Sequence, residues 1–399
     1  MKKLSEKQRR HLIYKSRKNF IKLNKIKLKK KNHSIISLWD GEREFSAECT
    51  GGAIMPPRII DFEKNISETL LFLEIIKEKM GRKTIEGITN LSWTKKRRNK
   101  IPSVKSYYDF SKIEYISISS ALVISASYDR AKRLTKSVPP AVNYLQWSPS
   151  ATQTFYEIGF FDLIGQSHPQ NIIDEYEKKH DSNIKIMKII SGTNANKLQE
   201  SSERIRDILI FLVENNEETI EYIPNINTAI SEAMINVARH AYPDSYVNET
   251  KYSTINQWWI TAKANKKEST LTISIYDQGA TIPGTLPNRG RIWDLVEYNL
   301  KRIIPDFIYS KNHRKLDHEY IAFAVKPGKT QTESRERGLG LPQMQDLVNM
   351  CDDGYISIIS RCGYYRYDKT NGPTKRALTV ELEGTLVEWH LKFPVRDVL

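Results

Sequence analysis

The chain has 399 residues and a net charge of +15, from 62 Lys and Arg against 47 Asp and Glu. This length predicts two domains with separate cores. It has no apolar run of about 18 residues and no apolar N-terminal segment of the signal-peptide type, so we expect no membrane span and a cytoplasmic protein. The 3 cysteines lack metal-site spacing, so we expect reduced thiols and no disulfide framework.

The charge is concentrated in a basic arm, residues 1–33. These residues hold 14 Lys and Arg and a single acid, Glu6, so the arm carries +13 of the +15. Lysine runs with Tyr14 and Phe20 between them suit contact with a phosphate backbone. This pattern predicts binding to nucleic acid or another polyanion. A solubilising tail, or attachment to an acidic protein partner, explains it equally well.

Residues 34–195 have the pattern of a small α/β domain. We expect a helix within residues 61–80, a short strand at 107–111 and a second helix that begins in the apolar run 116–124. A small helix within 155–165 and a strand at 184–190 follow. The polar, turn-like residues 191–196 predict the boundary to a second domain, residues 196–399.

The second domain opens with a helix that carries three polar residues at intervals of four. Glu232, Asn236 and His240 therefore lie along one face of that helix. A carboxylate and an amide oxygen are suitable ligands for Mg²⁺ and water. Taken alone, such a pair more commonly marks a solvent-exposed helix face.

A strand then alternates apolar and polar residues and ends at an acid. Leu271, Ile273 and Ile275 share one face, and Asp277 ends that face. A buried carboxylate needs hydrogen-bond donors, and the exocyclic amine of an adenine is one. Gly279 would let the backbone approach a flat ring, and Ile282 with the following proline would cover that ring. An ordinary Asp-x-Gly turn is the simpler alternative.

Two further segments complete the pattern. Gly338 and Gly340 precede a helix, whose free N–H groups favour anions such as phosphates. Near the C-terminus, Thr385 begins a strand face with Val387, Trp389 and Leu391, and its hydroxyl is placed to help hold Asp277. The long stretch 284–336 predicts a structured lid or insertion. The basic residues that approach the glycines and could clamp a phosphate are Lys326, Lys329, Arg335 and Arg337.

In this order and spacing, the segments resemble the N, G1, G2 and GT boxes of the GHKL superfamily, which includes gyrase B, MutL, histidine kinases and anti-sigma-factor serine kinases. The resemblance covers about 200 residues. It implies a Bergerat-type α/β sandwich, whose mixed β-sheet is covered by helices on one side, that binds ATP and Mg²⁺. Ala280 and Thr281 stand where many members have a second glycine.

The resemblance also implies a role for each motif residue. Glu232 would be the general base, Asn236 would hold Mg²⁺, and Asp277 would bind the adenine amine. The other implied nucleotide-binding residues are His240, Gly279, Ile282, Arg335, Arg337, Gly338, Gly340, Leu341 and Thr385.

More loosely, residues 34–195 are similar to STAS-like domains, in which a serine before a helix can accept phosphate. Ser119 and Ser120 are the candidates here, although two serines at this point also suit helix capping. We therefore expect an ATP-hydrolysing switch that dimerises with ATP or binds a protein partner. The alternatives are an anti-sigma-like serine kinase that acts on the STAS-like domain, a nucleotide-binding module with negligible turnover and, less consistent with the pattern around His180, a histidine autokinase.

Overall fold

The structure is a computed structural model. Apart from a few isolated positions before residue 20, it describes residues 34–49, 51–85, 103–104, 106–136, 141–168, 170–179, 181–193, 197–213, 222–236, 241–243, 254–288, 291–303, 314–325 and 340–394. The fold is mixed α/β, with several sheets.

The helices and strands alternate irregularly along the chain. The described strands are β1 (Ser34–Trp39), β2 (Glu44–Cys49), β3 (Ala53–Ile54), β4 (Ile59–Ile60), β5 (Ser103–Val104), β6 (Tyr107–Tyr108), β7 (Tyr115–Ile116), β8 (Ala141–Val142), β9 (Ile184–Gly192), β10 (Trp258–Asn265), β11 (Thr270–Asp277), β12 (Asp353–Asp368) and β13 (Gly372–Lys392). The described α-helices are α1 (Ile66–Ile85), α2 (Ile118–Thr135), α3 (Pro149–Glu157), α4 (Phe160–Ile164), α5 (Gln170–Lys179), α6 (Leu198–Val213), α7 (Ile223–Asn236), α8 (Ile282–Thr285), α9 (Arg291–Ile303), α10 (Asp317–Ala324) and α11 (Gly340–Met350).

The largest sheet has five strands in the order β12-β13-β11-β10-β9, and every described pairing in it is antiparallel. The expectation of a mixed sheet was therefore wrong for the described strands. The physical reason is the connectivity, since short turns join β10 to β11 and β12 to β13, and such turns pair strands antiparallel. Strand β9 precedes residue 196, so the sheet extends across the predicted domain boundary.

One face of this sheet, the front face, packs against α6, α7 and α11. Leu271, Ile273 and Ile275 of β11 point into this core, as their alternation predicts. Val387, Trp389 and Leu391 of β13 join them, and the indole nitrogen of Trp389 donates to the carbonyl oxygen of Met344 at 3.0 Å. The front core thus fixes the end of β11 close to the helices that carry the predicted motifs.

The opposite face, the back face, is also covered. Helices α1 and α2 of the N-terminal half pack on it, and Trp259, Tyr276 and Leu386 of the sheet share one core with them. The resemblance implied helices on one side only. Because this second core joins both halves of the chain, the five-stranded sheet lies between two helical layers.

The N-terminal half contains a four-stranded sheet in the order β5-β2-β1-β8 and two short parallel pairs, β3 with β6 and β4 with β7. Its helices are close to the predicted positions. Helix α2 begins after Ser117, whose hydroxyl accepts a hydrogen bond from the Ser120 amide, a favourable N-cap.

The long hairpin of β12 and β13 bends where its register shifts, next to Arg361. Arg361 has a φ of +56°, and its guanidinium forms an ion pair with the fully buried carboxylate of Asp317, at 2.8 Å from Nε to Oδ2. The same carboxylate accepts the Cys362 amide at 2.9 Å. These bonds fix α10, part of the predicted insertion, to the sheet.

All three cysteines are buried, and none of them is in a disulfide. In the part of the chain that the structure describes, no helix is long and apolar enough to cross a membrane. Most of the basic arm and the predicted clamp residues Lys326 and Lys329 lie outside the described residues.

Candidate functional site

The candidate site is centred on Asp277, the last residue of β11, which is only 4% exposed. Its Oδ1 accepts the Gly279 amide at 2.7 Å, and the backbone amide of Thr385 also donates to the carboxylate. Burial raises the pKa of Asp277 to about 7, although these two N–H groups oppose the shift. Because this pKa is close to neutral, a hydrogen-bond donor on a ligand can stabilise the ionised form of the side chain at neutral pH.

Two glycines allow this close packing. Gly384 has a φ of +79°, and a Cβ atom on it would overlap the carbonyl oxygen of Asp277. A Cβ atom on Gly279 would overlap the backbone of Ala241, which follows the predicted motif helix. Gly384 is therefore required both for its positive φ and for its close contact, and Gly279 is required for its close contact alone.

Thr281, which stands where the GHKL pattern often has glycine, has an unusual backbone conformation. Thr281 has φ +68° and ψ 152°, a backbone conformation that is almost restricted to glycine. Its hydroxyl oxygen accepts the Gly284 amide at 3.1 Å and so caps the short helix α8. Thr281 thus adopts a backbone conformation typical of glycine, in the Ala280-Thr281 pair that stands where many GHKL members have a second glycine.

Thr385 lies directly opposite Asp277 in the pairing of β11 with β13. The sequence predicts that its side-chain hydroxyl helps to hold Asp277, but this hydroxyl does not bond directly to the carboxylate. It lies 2.9 Å from the hydroxyl of Ser360, and the backbone amide of Thr385 contacts Asp277 instead. The hydroxyl of Ser360 also accepts the Ile282 amide at 2.9 Å.

Ser360 is a site residue that the sequence did not predict. It is fully buried and joins the turn after β11 to the start of the Thr385 segment. No local motif marks it. Its only signal is its register, since it pairs with Thr385 across β12 and β13.

Two residues that follow the motif helix in sequence, Ala241 and Tyr242, contact this turn. The amide of Ala280 donates to the carbonyl oxygen of Ala241 at 2.6 Å, and the Tyr242 hydroxyl accepts the Gln278 amide at 3.0 Å and donates to the carbonyl of Gln257. Helix α7, which carries Glu232 and Asn236, packs against α11, which begins at Gly340. Both helices thus share the front core with β11 and β13, the strands that carry Asp277 and Thr385.

Several predicted site residues cannot be placed in the same detail. His240, Arg335, Arg337 and Gly338 lie outside the described residues, and for Glu232, Asn236 and Leu341 only the helical backbone is described. Among the His, Cys, Asp and Glu side chains that are described, no cluster of three is arranged to hold a metal ion. The predicted metal ligand Asn236 is outside that group.

The candidate phosphate acceptors are enclosed. Ser119 is 1% exposed and Ser120 is fully buried, and both contact the Ser117 hydroxyl. The side chain of Ser119 also hydrogen-bonds to Glu388 on the back face of the sheet. Neither hydroxyl is open to a phosphate donor in this conformation.

The residues around Asp277 fit an adenine base. An ionised carboxylate offers about four acceptor positions, and two backbone amides account for two of them. It retains acceptor capacity for an exocyclic amine, whereas Ala241 fills the space beside Gly279 in which a Cβ atom would lie. This match is one of donor and acceptor chemistry.

Comparison with models of known protein families finds none that matches this chain, and comparison with curated protein sequences likewise finds no match.

Proposed function

We propose that this protein is a GHKL-type ATPase, a Mg²⁺-dependent switch that binds ATP at the Asp277 turn and hydrolyses it. On this proposal the five-stranded sheet with α6, α7 and α11 is a Bergerat-type ATP-binding unit, and the N-terminal half is STAS-like. Further parts of the proposal are a cytoplasmic location, ATP-dependent pairing or a protein partner, and contact of residues 1–33 with nucleic acid.

The observation that carries the proposal is the set of contacts around Asp277. Two segments far apart in sequence donate to this single buried carboxylate, its own turn at Gly279 and the Gly384-Thr385 pair, and Ala241 packs behind the turn against Gly279. A simple Asp-x-Gly turn needs only the first. The additional contacts support a carboxylate held in place for a ligand.

The remaining roles follow the order of the segments. Asn236 would hold Mg²⁺ against the phosphates, and Glu232 would accept a proton from the attacking water as the general base. Bound Mg²⁺ would neutralise charge on the phosphate oxygens. Gly338 and Gly340 would give the phosphates access to the amides at the start of α11, with Arg335 and Arg337 as counter-charges.

The burial of Ser119 and Ser120 favours hydrolysis over transfer to a serine of the same chain. A serine kinase that acts on its own STAS-like half would need those hydroxyls to reach the γ-phosphate. In the structure they face the back face of the sheet, whereas Asp277 and the motif helices lie at its end and front.

Binding of ATP and GTP to the full chain, measured by calorimetry with Mg²⁺, tests the base assignment. Guanine presents an acceptor where adenine has its amine, so we expect the wild type to prefer ATP. Asp277→Asn loses a charged hydrogen bond, and we expect ATP affinity to fall by about ten- to a hundredfold. Because the ionised carboxylate is the better acceptor, wild-type affinity should rise as the pH increases through about 7.

The matched control is Asp61→Asn, the same change at another buried aspartate. Asp61 accepts the amides of Glu63 and Lys64 in the N-terminal half, away from the Asp277 turn. It should leave ATP affinity and its pH dependence unchanged. An Asp277→Asn protein that binds ATP as tightly as the wild type would contradict the proposal.

A further inference from the structure

Helix α2 presents two adjacent charged residues to the sheet, and both are buried. Asp129 is 1% and Arg130 is 5% exposed. Asp129 accepts the indole N–H of Trp259 at 3.0 Å and the Nε of Arg133 at 2.9 Å. The bond to Trp259 fixes the helix to β10, the bond to Arg133 lies within the helix, and together they set the position of the neighbouring Arg130.

Arg130 reaches the two segments that hold the candidate site. Its Nη1 donates to Oε1 of Gln278 at 3.1 Å and lies 3.0 Å from Oε2 of Glu383. Gln278 immediately follows Asp277, and Glu383 immediately precedes Gly384. One guanidinium from the N-terminal half therefore connects both sides of the Asp277 turn.

The contacts form a closed ring. The side chain of Gln278 also hydrogen-bonds to the Tyr276 hydroxyl, and that hydroxyl donates to the carbonyl oxygen of Glu383 at 2.7 Å. Starting from Arg130, the ring runs through Gln278, Tyr276 and Glu383 and returns to Arg130. Since every member is wholly or largely buried, water cannot readily replace a lost bond.

The ring sets a distance on which the site depends. Gly384 lies against the carbonyl oxygen of Asp277 and has no side chain. It therefore cannot itself hold the segment that contains Asp277 and the segment that contains Thr385 at the right separation. The amide of Thr385, one residue later, bonds to the Asp277 carboxylate. The Arg130 guanidinium bonds to both segments and so limits their separation. A planar guanidinium can donate to two partners at once.

We propose that Arg130 is a positioning residue of the nucleotide site, contributed by the N-terminal half of the chain, which holds Asp277 and Thr385 at the spacing that binds the base. This inference rests on the proposed function of the Asp277 turn. It makes the N-terminal half a part of the site, so a partner that displaces α2 would weaken nucleotide binding.

The test compares Arg130→Met with Arg133→Met in the full chain. Arg133 lies on the same helix and also contacts the sheet, through Ser191, but it does not contact the Asp277 turn. Loss of the ring should lower affinity by about tenfold or more, equivalent to the loss of one charged hydrogen bond. Since the ring acts on the base side, ATP and ADP affinity should fall by the same factor, and Arg133→Met should leave both unchanged.

A second variant covers the case in which Arg130→Met does not fold. Arg130→Lys keeps the charge but loses the planar donor group, and it should bind ATP and ADP more weakly than both the wild type and Arg133→Met. Hydrogen exchange at the Gly279 and Thr385 amides should be faster in both Arg130 variants and unchanged in Arg133→Met.

The outcomes are distinguishable. Wild-type affinity in a folded Arg130 variant overturns the inference and leaves the proposed function intact. An equal loss of affinity in Arg130→Met and Arg133→Met also overturns it, because the effect would then be general loosening of the interface. If the wild type binds no nucleotide, the proposed function itself fails and the inference falls with it.

Discussion

The carbonyl oxygen of Asp277 occupies the space in which a Cβ atom on Gly384 would stand. This contact places the start of the Thr385 segment directly against the end of β11. It joins residues more than 100 positions apart and is the tightest constraint on the candidate site.

Gly384→Ala should therefore be strongly destabilising. Alanine at a φ of +79° costs about 1–2 kcal/mol in backbone conformation, and the overlap with Asp277 adds to that cost. The control is Gly372→Ala, which has a similar φ of +72° but nothing within 4 Å. Urea unfolding should show a clearly larger loss for Gly384→Ala, and equal losses would mean that the contact with Asp277 is unimportant.

Ser360→Ala should loosen the same turn from the other side. The substitution removes the acceptor of the buried Ile282 amide and the partner of the Thr385 hydroxyl, at a cost of about 1–3 kcal/mol. Ser125→Ala is the matched change. Its hydroxyl only donates to the carbonyl of Ala121 within α2, so we expect a loss below about 1 kcal/mol. Equal stabilities of the two variants in urea would contradict this account of Ser360.

Glu388 predicts a pH-dependent difference in stability. Burial raises its pKa to about 7 from an ordinary 4.5, although hydrogen bonds with Ser119 and Tyr355 oppose the shift. The folded protein therefore binds a proton that the unfolded chain releases. Stability from this group is fully present below pH 4.5 and is lost as the pH rises towards 7. The loss is at most about 1.4 kcal/mol per pH unit.

Glu388→Gln isolates this effect, because buried histidines such as His168 titrate in the opposite sense over the same range. Between pH 4.5 and 7, the unfolding free energy of the wild type should fall relative to that of the variant as the pH rises. Above that range the difference between the two proteins should stay constant. A constant difference would show that Glu388 is ionised in the folded protein throughout.

Asp317 should be essential for the attachment of α10. Asp317→Ala leaves Arg361 without its buried partner, and we expect a loss of about 3–5 kcal/mol. The exposed pair of Lys188 with Asp162 provides the comparison, and Asp162→Ala should cost less than about 1 kcal/mol. Thermal unfolding with two similar losses would argue against a structural role for the buried pair.

The front face of the sheet was predictable because its alternation is simple. Leu271, Ile273 and Ile275 are apolar at every second position, and Asp277 continues that face into the turn. The inward face of Thr385 follows the same logic, because Val387, Trp389 and Leu391 continue it, but its partner across the sheet, Asp277, does not. The helix that contains the apolar run 116–124 was predicted as well, but its cap was not: Ser119 and Ser120, the expected capping residues, lie inside α2, and Ser117 caps it.

The back face was not predictable in this way. Ser274 and Glu388 alternate with apolar residues, which is the pattern of a solvent-exposed face, yet both are buried under α1 and α2. Their surroundings depend on partners such as Ser119, which lies far away in sequence. Local periodicity contains no information on such long-range polar contacts, and for this reason Arg130 and Ser360 were missed as well.

The most direct test of the central claim is incubation of the full chain with Mg²⁺ and γ-labelled ATP, with and without nucleic acid, following both free phosphate and label retained on the protein. The variants are Glu232→Ala and Asn236→Ala, with Glu200→Ala in the neighbouring helix α6 as a control outside the motifs. We predict phosphate release that requires both motif residues, is unaffected by Glu200→Ala and leaves no label on the protein. Stable label on a serine, or no turnover in the wild type, would contradict the assignment of an ATP-hydrolysing switch.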